Sequence, residues 1–399
     1  MCVAACVPSR LFPRYNSKGM ARSMWSKILV LGICMMAAAA YTAAQTTGPD
    51  WAKRVLQLPP GPDNPRNSEC AFVTLRDGSI LMVYSHFYGK SSNDYATANL
   101  SSRRSRDGGV TWTTEDSIVV PNEGGMNVMS VSLLRLAGGR IALFYARKNA
   151  HADCIPMVRF SDDEAVTWSE PKPCITDEPG YYVLNNDRVI QLAGGRLLMP
   201  VSRHQTPTQP WQSRGRIFCY FSDDEGRTWN RGEEIPNPDT VMTQEPGVVE
   251  LRDGRIMMFM RTDAGVQYLS YTMDKGMHWS PAQRSSIVSP VSPASIKRVP
   301  GSKTLVMLWN LNDGSDPELK GKRTPLAIAI SRNEGRTWIK PRMLETDRDG
   351  WYCYTALHFT SEGHLLAGYC AGSQRKRTKL AQTDVSLIDL KKLYGRLVR

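Results

Sequence analysis

The 399-residue sequence lacks three patterns that would each point to a different class of protein. Outside the first 44 residues no segment has helical periodicity of useful length, which argues against α-helical and α/β domains. No metal-ligand spacing and no cofactor motif is present, so we expect neither a metal nor a cofactor. There is no basic stripe with interleaved aromatic residues, so we expect no nucleic-acid partner.

No apolar run in the sequence is long enough to span a membrane, which takes roughly 20 residues. The longest such run, residues 28–40, follows Lys27 and leads into small residues ending at Ala44. This pattern is typical of a secretory signal peptide. We therefore predict a leader over residues 1–44, a single folded domain over residues 45–399, a secreted or periplasmic location and no stable membrane insertion.

Charge gives a weaker indication of the partner. Residues 1–44 contain five basic and no acidic residues, so without them the formal net charge falls from +12 to +7. A moderately basic exported protein suits acidic glycans or anionic cell surfaces. We expect such a protein to act as a monomer.

The most informative feature that the sequence does have is a phrase repeated five times. Each copy begins with Ser or Thr, carries Asp or Asn at its third position and ends in Trp, and the copies begin 50 to 61 residues apart. Repeats of this period indicate a propeller, solenoid or array. We interpret the phrases as scaffold turns and not as the active site. The copies run over residues 105–112, 161–168, 222–229, 272–279 and 331–338.

A second repeat, a glycine turn between two apolar runs, gives the number of sheets. This is a strong local signal for a β-hairpin, and it occurs six times, at Gly78, Gly139, Gly195, Gly254, Gly301 and Gly363. We therefore predict an all-β fold, a six-bladed β-propeller with four-stranded antiparallel blades. The phrases would lie between the third and fourth strands of a blade, and residues 51–58 would close the last sheet.

Alignment of the predicted blades places polar residues at one position near the axis. Counting back nine residues from the turn glycine gives Glu69, Ser130, Asn186, Glu245 and Tyr354 in five of the six blades. Polar groups that converge at a channel mouth are what a binding site needs. The alternative is that residues lining a wet channel are polar by default.

The repeated phrase resembles the Asp-box, or BNR, repeat of the sialidase (neuraminidase) superfamily. Four further stretches resemble sialidase site motifs: residues 244–261 with Glu245 and Arg261, 322–331 with Arg323, 353–357 with Tyr354, and the loop 91–96 with Asp94. The resemblance implies a secreted exo-α-sialidase-like glycoside hydrolase. Such an enzyme releases a terminal sialic acid or related acidic sugar from sialylated or other acidic glycans, with retention of configuration.

The resemblance also implies a role for each of these residues. Tyr354 would be the nucleophile, which is the known exception to the carboxylate nucleophile of glycosidases, and Glu245 would take its proton. Asp94 would be the general acid and base, kept protonated because an overlying loop excludes water. Arg261 and Arg323 would bind the carboxylate of the sugar.

One stretch departs from the family. Where sialidases open their first blade with a motif that supplies a third arginine, residues 65–71 place Arg66 two or three positions early and Glu69 in the ring position. Arg66 would still bind substrate, or Glu69 would face the pocket and change which sugar fits. A hydrolase or lyase for another acidic sugar, and a glycan-binding propeller without activity, are therefore alternatives. Asn127 and residues 185–188 would contact sugar hydroxyls or bond neighbouring blades.

Overall fold

The computed structural model describes residues 49–395. Over this range the chain forms 25 β-strands and ends in one short helix, α1 (Leu390–Tyr394), which the Asp389 side chain caps. The predicted all-β class is therefore confirmed. The predicted leader lies outside the described residues.

Four of the five sheets contain four antiparallel strands each. Three of them are formed by consecutive strands: β2 (Arg66–Thr74), β3 (Ile80–Phe87), β4 (Ala98–Ser105) and β5 (Ser117–Val120); β15 (Thr243–Glu250), β16 (Ile256–Thr262), β17 (Val266–Thr272) and β18 (Gln283–Val288); β19 (Ser295–Arg298), β20 (Leu305–Asn310), β21 (Leu326–Ser331) and β22 (Ile339–Glu345).

The fourth four-stranded sheet joins the two ends of the described chain. Its strands are β23 (Gly350–Phe359), β24 (Leu365–Ser373), β25 (Thr383–Ile388) and β1 (Ala52–Leu58). β1 pairs antiparallel with β25 along its whole length, from Ala52 opposite Ile388 to Leu58 opposite Thr383. The predicted closure of the last sheet by residues 51–58 is confirmed, and it covers the edge that β25 would otherwise expose.

The fifth sheet has nine strands, so the structure has five sheets and not the predicted six. It contains two antiparallel groups that β10 connects, because β10 pairs with β12 on one side and parallel with β8, at Cys154, on the other. The strands are β6 (Asn127–Arg135), β7 (Ile141–Ala150), β8 (Asp153–Ser161), β9 (Lys172–Pro173), β10 (Tyr181–Val183), β11 (Ile190–Gln191), β12 (Leu197–Gln205), β13 (Arg216–Ser222) and β14 (Asn230–Arg231).

All six predicted turn glycines connect the first two strands of a group, and all six have positive φ, as at Gly78 (φ 82°). L-residues with a side chain rarely adopt this backbone conformation, which explains glycine at these turns. Apolar side chains of adjacent sheets then pack together. In one cluster, Leu308 and Ile328 pack with Leu357 and Tyr369 of the next sheet. The core therefore lies between sheets.

The repeated phrases are turns that follow the third strand of a group, as predicted. In the third copy the Asp224 carboxylate accepts hydrogen bonds from the Thr228 backbone N–H (2.9 Å), the Thr228 hydroxyl (2.7 Å) and the Ser222 hydroxyl (2.8 Å). In the fifth copy Asn333 makes the same three contacts, with its amide donating to Thr337 Oγ1 at 2.8 Å. The phrase therefore works with an amide as well as with a carboxylate.

This equivalence predicts two different outcomes at one position. Asp224→Ala removes all three hydrogen bonds and should lower the free energy of unfolding by about 1–2 kcal/mol, a few degrees in Tm. Asp224→Asn should keep most of that stability, because Asn333 shows that the amide fits. Thermal unfolding of both variants checks this, and equal losses would contradict the structural role given to the turn.

Candidate active site

A cavity of about 420 Å³ is lined by residues from the first half of four inner strands, β2, β6, β15 and β23. Its wall includes six of the seven site residues predicted from the sequence: Glu69, Asp94, Glu245, Arg261, Arg323 and Tyr354. A concave site with a few convergent polar groups is typical of small-molecule pockets. The seventh residue, Arg66, is not among the lining residues.

The predicted ring of polar residues has a shared backbone geometry. Glu69, Ser130, Glu245 and Tyr354 line the cavity and have positive φ values of 58°, 63°, 47° and 53°, and each lies at a register shift in its strand pair. Such a bulge re-aims a side chain, and the left-handed backbone costs on the order of 1–3 kcal/mol. The ring is therefore confirmed at these four positions.

The remaining ring position, predicted at Asn186, is wrong by one residue. Asp187 (φ 59°), and not Asn186, adopts the left-handed backbone there. The Asn186 amide instead donates to the carbonyl oxygens of Cys70 (2.8 Å) and Tyr354 (3.1 Å), so it bonds neighbouring sheets. The count fails because the inner strand is broken between β10 and β11.

The centre of the site is a contact between a phenol and a carboxylate. The Tyr354 hydroxyl donates to Glu245 Oε1 at 3.2 Å, and Arg261 Nη1 lies 2.7 Å from Glu245 Oε2. Arg323 lies over the phenol ring, its guanidinium carbon 5.3 Å from the ring centroid of Tyr354 and 5.4 Å from that of Trp351. A nucleophile candidate, a base and two cations are therefore brought together.

Arg261 and Arg323 also have N–H groups that make no hydrogen bond among the described residues. Arg323 is 8% exposed, and neither its Nη1 nor Nε of Arg261 has a hydrogen-bond acceptor among the described residues. Buried donors normally have a partner, and a carboxylate is the acceptor that a guanidinium favours most. The arrangement is therefore suited to an anionic ligand.

The environment separates the pKa values of the central pair. Burial raises the pKa of Tyr354, and Glu245 raises it further, while Arg323 and Arg261 oppose both. Burial alone would raise the pKa of Glu245 as well, but Arg261 and Arg323 outweigh it and hold that pKa below its ordinary value. At neutral pH the pair is therefore a neutral phenol and an ionised carboxylate, the state required for a base and its proton donor.

Arg66 lies behind the wall of the cavity and is 1% exposed. Its guanidinium is within 2.8 Å of Glu69 Oε1 and 2.5 Å of Asp94 Oδ1, and its Nε donates to Ser68 Oγ at 2.9 Å. Glu69 faces the cavity and accepts from the Ser130 hydroxyl at 2.5 Å. Burial raises the pKa of Glu69, although Arg66 and Ser130 oppose this. Of the two alternatives for this stretch, the structure places Glu69 in the pocket.

The expectation that desolvation keeps Asp94 protonated is wrong for this arrangement. Its side chain is 57% exposed, and its carboxylate contacts Arg66. Burial alone would raise the pKa of Asp94, but the charge and hydrogen bond of Arg66 hold the pKa below its ordinary value. Sequence reasoning missed this because it did not place Arg66 next to the loop.

Part of the wall carried no signal in the sequence. Lys148 from β7, Tyr181 from β10 and Trp211 from the loop after β12 line the cavity, and no motif marks them. Trp211 stacks on His204 with ring centroids 4.7 Å apart, and Tyr181 meets Trp211 edge-on at 5.2 Å. Both His204 ring nitrogens have partners, Gln212 O and Ser202 Oγ, and burial lowers its pKa. We therefore interpret His204 as a support for the aromatic wall.

Two other sets of candidates are also placed by the structure. The Asn127 side chain donates to carbonyl oxygens of the adjacent sheet's loop, whereas Asn185 lines the cavity. Tyr352 belongs to the hydrophobic core and is not among the residues that line the cavity.

Residues 49–395 contain no group of three or more His, Cys, Asp or Glu side chains placed to hold a metal ion. In the same range no helix has the length and apolar character needed to cross a membrane.

Comparison with known proteins decides the family. The sequence pattern of the BNR repeat-like domain matches residues 122–366, more than half of the chain. The chain belongs to the BNR repeat-like family. The prediction that it belongs to the sialidase superfamily is also confirmed, because bacterial sialidases match it in sequence.

Two bacterial sialidases illustrate the similarity in sequence. The sialidase of Paraclostridium sordellii is 26% identical over 236 residues, which is 52% of this chain and 55% of the relative. That of Micromonospora viridifaciens is 26% identical over 326 residues, 72% of this chain and 47% of the relative. This BNR repeat-like chain therefore spans about half the length of the relatives that it matches.

The similarity in structure extends further along the chain. The intramolecular trans-sialidase of Ruminococcus gnavus, in complex with oseltamivir carboxylate, superposes with a TM-score of 0.68 at 15% identity. The match covers 86% of this chain and 98% of the other. At this identity the comparison shows the fold, which is the β-propeller of sialidases. The activity of this BNR repeat-like protein has to be inferred from its own site.

Proposed function

We propose that the protein is an exo-α-sialidase-like glycoside hydrolase that releases a terminal sialic acid, or a related acidic sugar, from glycoconjugates with retention. The observation that carries the proposal is the hydrogen bond from the Tyr354 hydroxyl to Glu245, with Arg261 and Arg323 next to it. A phenol paired with a carboxylate and two guanidinium groups is the arrangement that a Tyr nucleophile and an anionic sugar require.

The charges of the site support an anionic substrate. Three carboxylates (Glu69, Asp94, Glu245) and three cations (Lys148, Arg261, Arg323) line the cavity, and Arg66 lies directly behind it. With every group ionised one positive charge is in excess, and protonation of Asp94 before the first step leaves a second. The unpartnered donors of Arg261 and Arg323 place that excess next to Tyr354, where a carboxylate on the anomeric carbon would bind.

In the first step the Tyr354 oxygen attacks the anomeric carbon as the glycosidic C–O bond breaks. The phenolic proton passes to Glu245, and Asp94 gives a proton to the leaving oxygen. A bound substrate carboxylate shares the two guanidinium groups with Glu245. Because Arg261 and Arg323 hold the pKa of Glu245 low, this sharing raises that pKa and makes Glu245 a stronger base when substrate is present.

In the second step the ionised Asp94 takes a proton from water, which attacks the anomeric carbon as the bond to Tyr354 breaks, and Glu245 returns its proton to the departing phenolic oxygen. Two displacements at one carbon give net retention. The step is consistent with an Asp94 that is half exposed and held over the cavity by Arg66. Asp94 must carry a proton only before the first step.

Arg66 should therefore set the upper pH limit of activity. Arg66 lowers the pKa of Asp94, and the protonated acid is lost as the pH rises through that pKa. Arg66→Gln removes the charge, so the pKa of Asp94 rises and the basic limb of the kcat profile moves to higher pH. Profiles of wild type and variant with 3′-sialyllactose check this, and a basic limb that moves to lower pH would contradict it.

A second candidate is a hydrolase or lyase for another acidic sugar, such as a uronate. It is favoured by Glu69, which lines the pocket at the position where the resemblance leads one to expect an arginine. Assaying the wild type on a 4-nitrophenyl sialoside and a 4-nitrophenyl uronide separates the two functions. Turnover of the uronide alone would overturn the sialidase proposal, and glycan binding without turnover of either would indicate a binding propeller.

We also propose the finer architecture and location. If the two antiparallel groups joined by β10 count separately, and β10 and β11 count as one interrupted inner strand, the described strands make six four-stranded blades. The apolar segment after Lys27 and its small-residue end support removal of residues 1–44 as a signal peptide, leaving residues 45–399 as the propeller, secreted or periplasmic and monomeric.

A further inference from the structure

Two side chains of the neighbouring sheet hold the loop that carries Asp94. Asn127 on β6 and Lys148 on β7 face each other in strand register, and both donate to the backbone carbonyl oxygen of Asp94. The distances are 2.9 Å from Asn127 Nδ2 and 2.7 Å from Lys148 Nζ. Asn127 Nδ2 also donates to the carbonyl oxygen of Ala96 at 2.8 Å. Two side chains from one sheet thus fix the loop of another.

Lys148 is an unusual residue for this position. It is 2% exposed, and no carboxylate of the described residues forms an ion pair with its ammonium group. Besides the Asp94 carbonyl, its contacts are the Met129 sulfur at 3.5 Å and the faces of Tyr95 (4.8 Å) and Tyr181 (5.5 Å). Burying an ammonium group without a counter-ion costs stability, so a role outside packing would explain it.

Asp94 is held both at its side chain and at its backbone. Arg66 contacts the carboxylate of Asp94 at 2.5 Å while Asn127 and Lys148 hold its carbonyl. The side chain and the backbone of this one residue are therefore both restrained, although the side chain is half exposed. Restraint of the backbone limits where the carboxylate can go when it leaves Arg66. Proton transfer depends steeply on such placement.

We propose that Lys148 and Asn127 are positioning residues for Asp94, holding the loop of residues 91–96 so that its carboxylate reaches the leaving oxygen. The proposal rests on the function proposed above. Neither residue is assigned contact with the reacting atoms. A residue that acts in this way should matter most when the leaving group needs a proton.

Two variants, Lys148→Met and Asn127→Ala, test this with two glycosides. With 3′-sialyllactose, whose leaving alkoxide needs protonation, kcat should fall roughly 10–100-fold. With a 4-nitrophenyl sialoside, whose leaving phenol is acidic, it should fall less than about threefold. KM should stay within about twofold for both. Lys303→Met, in an exposed turn, is the matched control and should behave as wild type.

A second measurement does not depend on activity. Hydrogen exchange followed by mass spectrometry should show the amides of residues 91–97 exchanging roughly tenfold faster in Lys148→Met than in wild type, with the rest of the chain unchanged. Replacing a buried charge by Met should leave Tm unchanged or raised, which separates this effect from unfolding.

The outcomes distinguish three cases. Faster exchange of the loop together with a loss confined to 3′-sialyllactose supports the proposal. Unchanged exchange, or an equal loss on both glycosides with a raised KM, overturns it, and the second result would mean that Lys148 binds the sugar itself. A wild type that cleaves neither glycoside would sink the proposed function, and the exchange data would still decide whether Lys148 holds the loop.

Discussion

Tyr354→Phe should lower kcat on a 4-nitrophenyl sialoside by roughly 10³-fold, the largest effect expected of any single substitution in this chain. The substitution removes one oxygen atom, which is the proposed nucleophile and the donor to Glu245. It leaves the aromatic ring against Arg323 and should leave KM and Tm nearly unchanged. Steady-state kinetics of the purified variant measures the effect.

The chain offers a matched control two residues away. Tyr352 is also a buried tyrosine on β23, but it packs in the hydrophobic core and is not among the cavity-lining residues. Tyr352→Phe should keep kcat within about threefold of wild type. If Tyr354→Phe kept full activity, or if Tyr352→Phe lost it instead, the proposed mechanism would be wrong.

The second large effect is expected at Arg323. Arg323→Met removes a buried guanidinium that the proposed function assigns to the substrate carboxylate, and kcat/KM should fall roughly 10²–10³-fold with much of the loss in KM. A substrate analogue whose carboxylate is converted to a neutral methyl ester should be affected far less. Arg332→Met, an exposed arginine at the other end of the same strand region, is the control.

The same variant makes a pH prediction of definite sign. Arg323 lowers the pKa of Glu245, and Glu245 must be ionised to act as base. Without Arg323 that pKa rises, so activity should be lost at a higher pH on the acidic side of the profile. An acidic limb that stayed in place or moved to lower pH would show that Arg323 does not act on Glu245.

Much of this site could be predicted because it depends on repetition. The turn glycines fix where each inner strand begins, and a count of nine residues back from them brought Glu245 and Tyr354 to one cavity although 109 positions separate them in sequence. The count succeeds where the inner strand is continuous and carries the same bulge. It fails between β10 and β11, where Asp187 replaces Asn186 at the special backbone position.

The sequence could not show contacts between strands and loops that do not occupy equivalent positions in the repeats. β10 joins two groups of strands into one sheet, because Tyr181 pairs parallel with Cys154. The sequence suggested that Arg66 is a displaced ligand for the substrate. Its position three residues before Glu69 instead places it behind the cavity wall, in contact with Asp94. No sequence motif marks Lys148, and only its contact with the Asp94 carbonyl gives it a role.

The central claim is that the oxygen of Tyr354 becomes covalently bonded to the sugar. A sialosyl fluoride with a second fluorine on the carbon next to the anomeric centre slows breakdown of such an intermediate, so it should accumulate. After denaturation and proteolysis, mass spectrometry should find the added sugar on the peptide that contains Tyr354, and none on Tyr354→Phe. A sugar attached to Glu245 or to any other residue, or turnover of the fluoride without an adduct, would contradict the account.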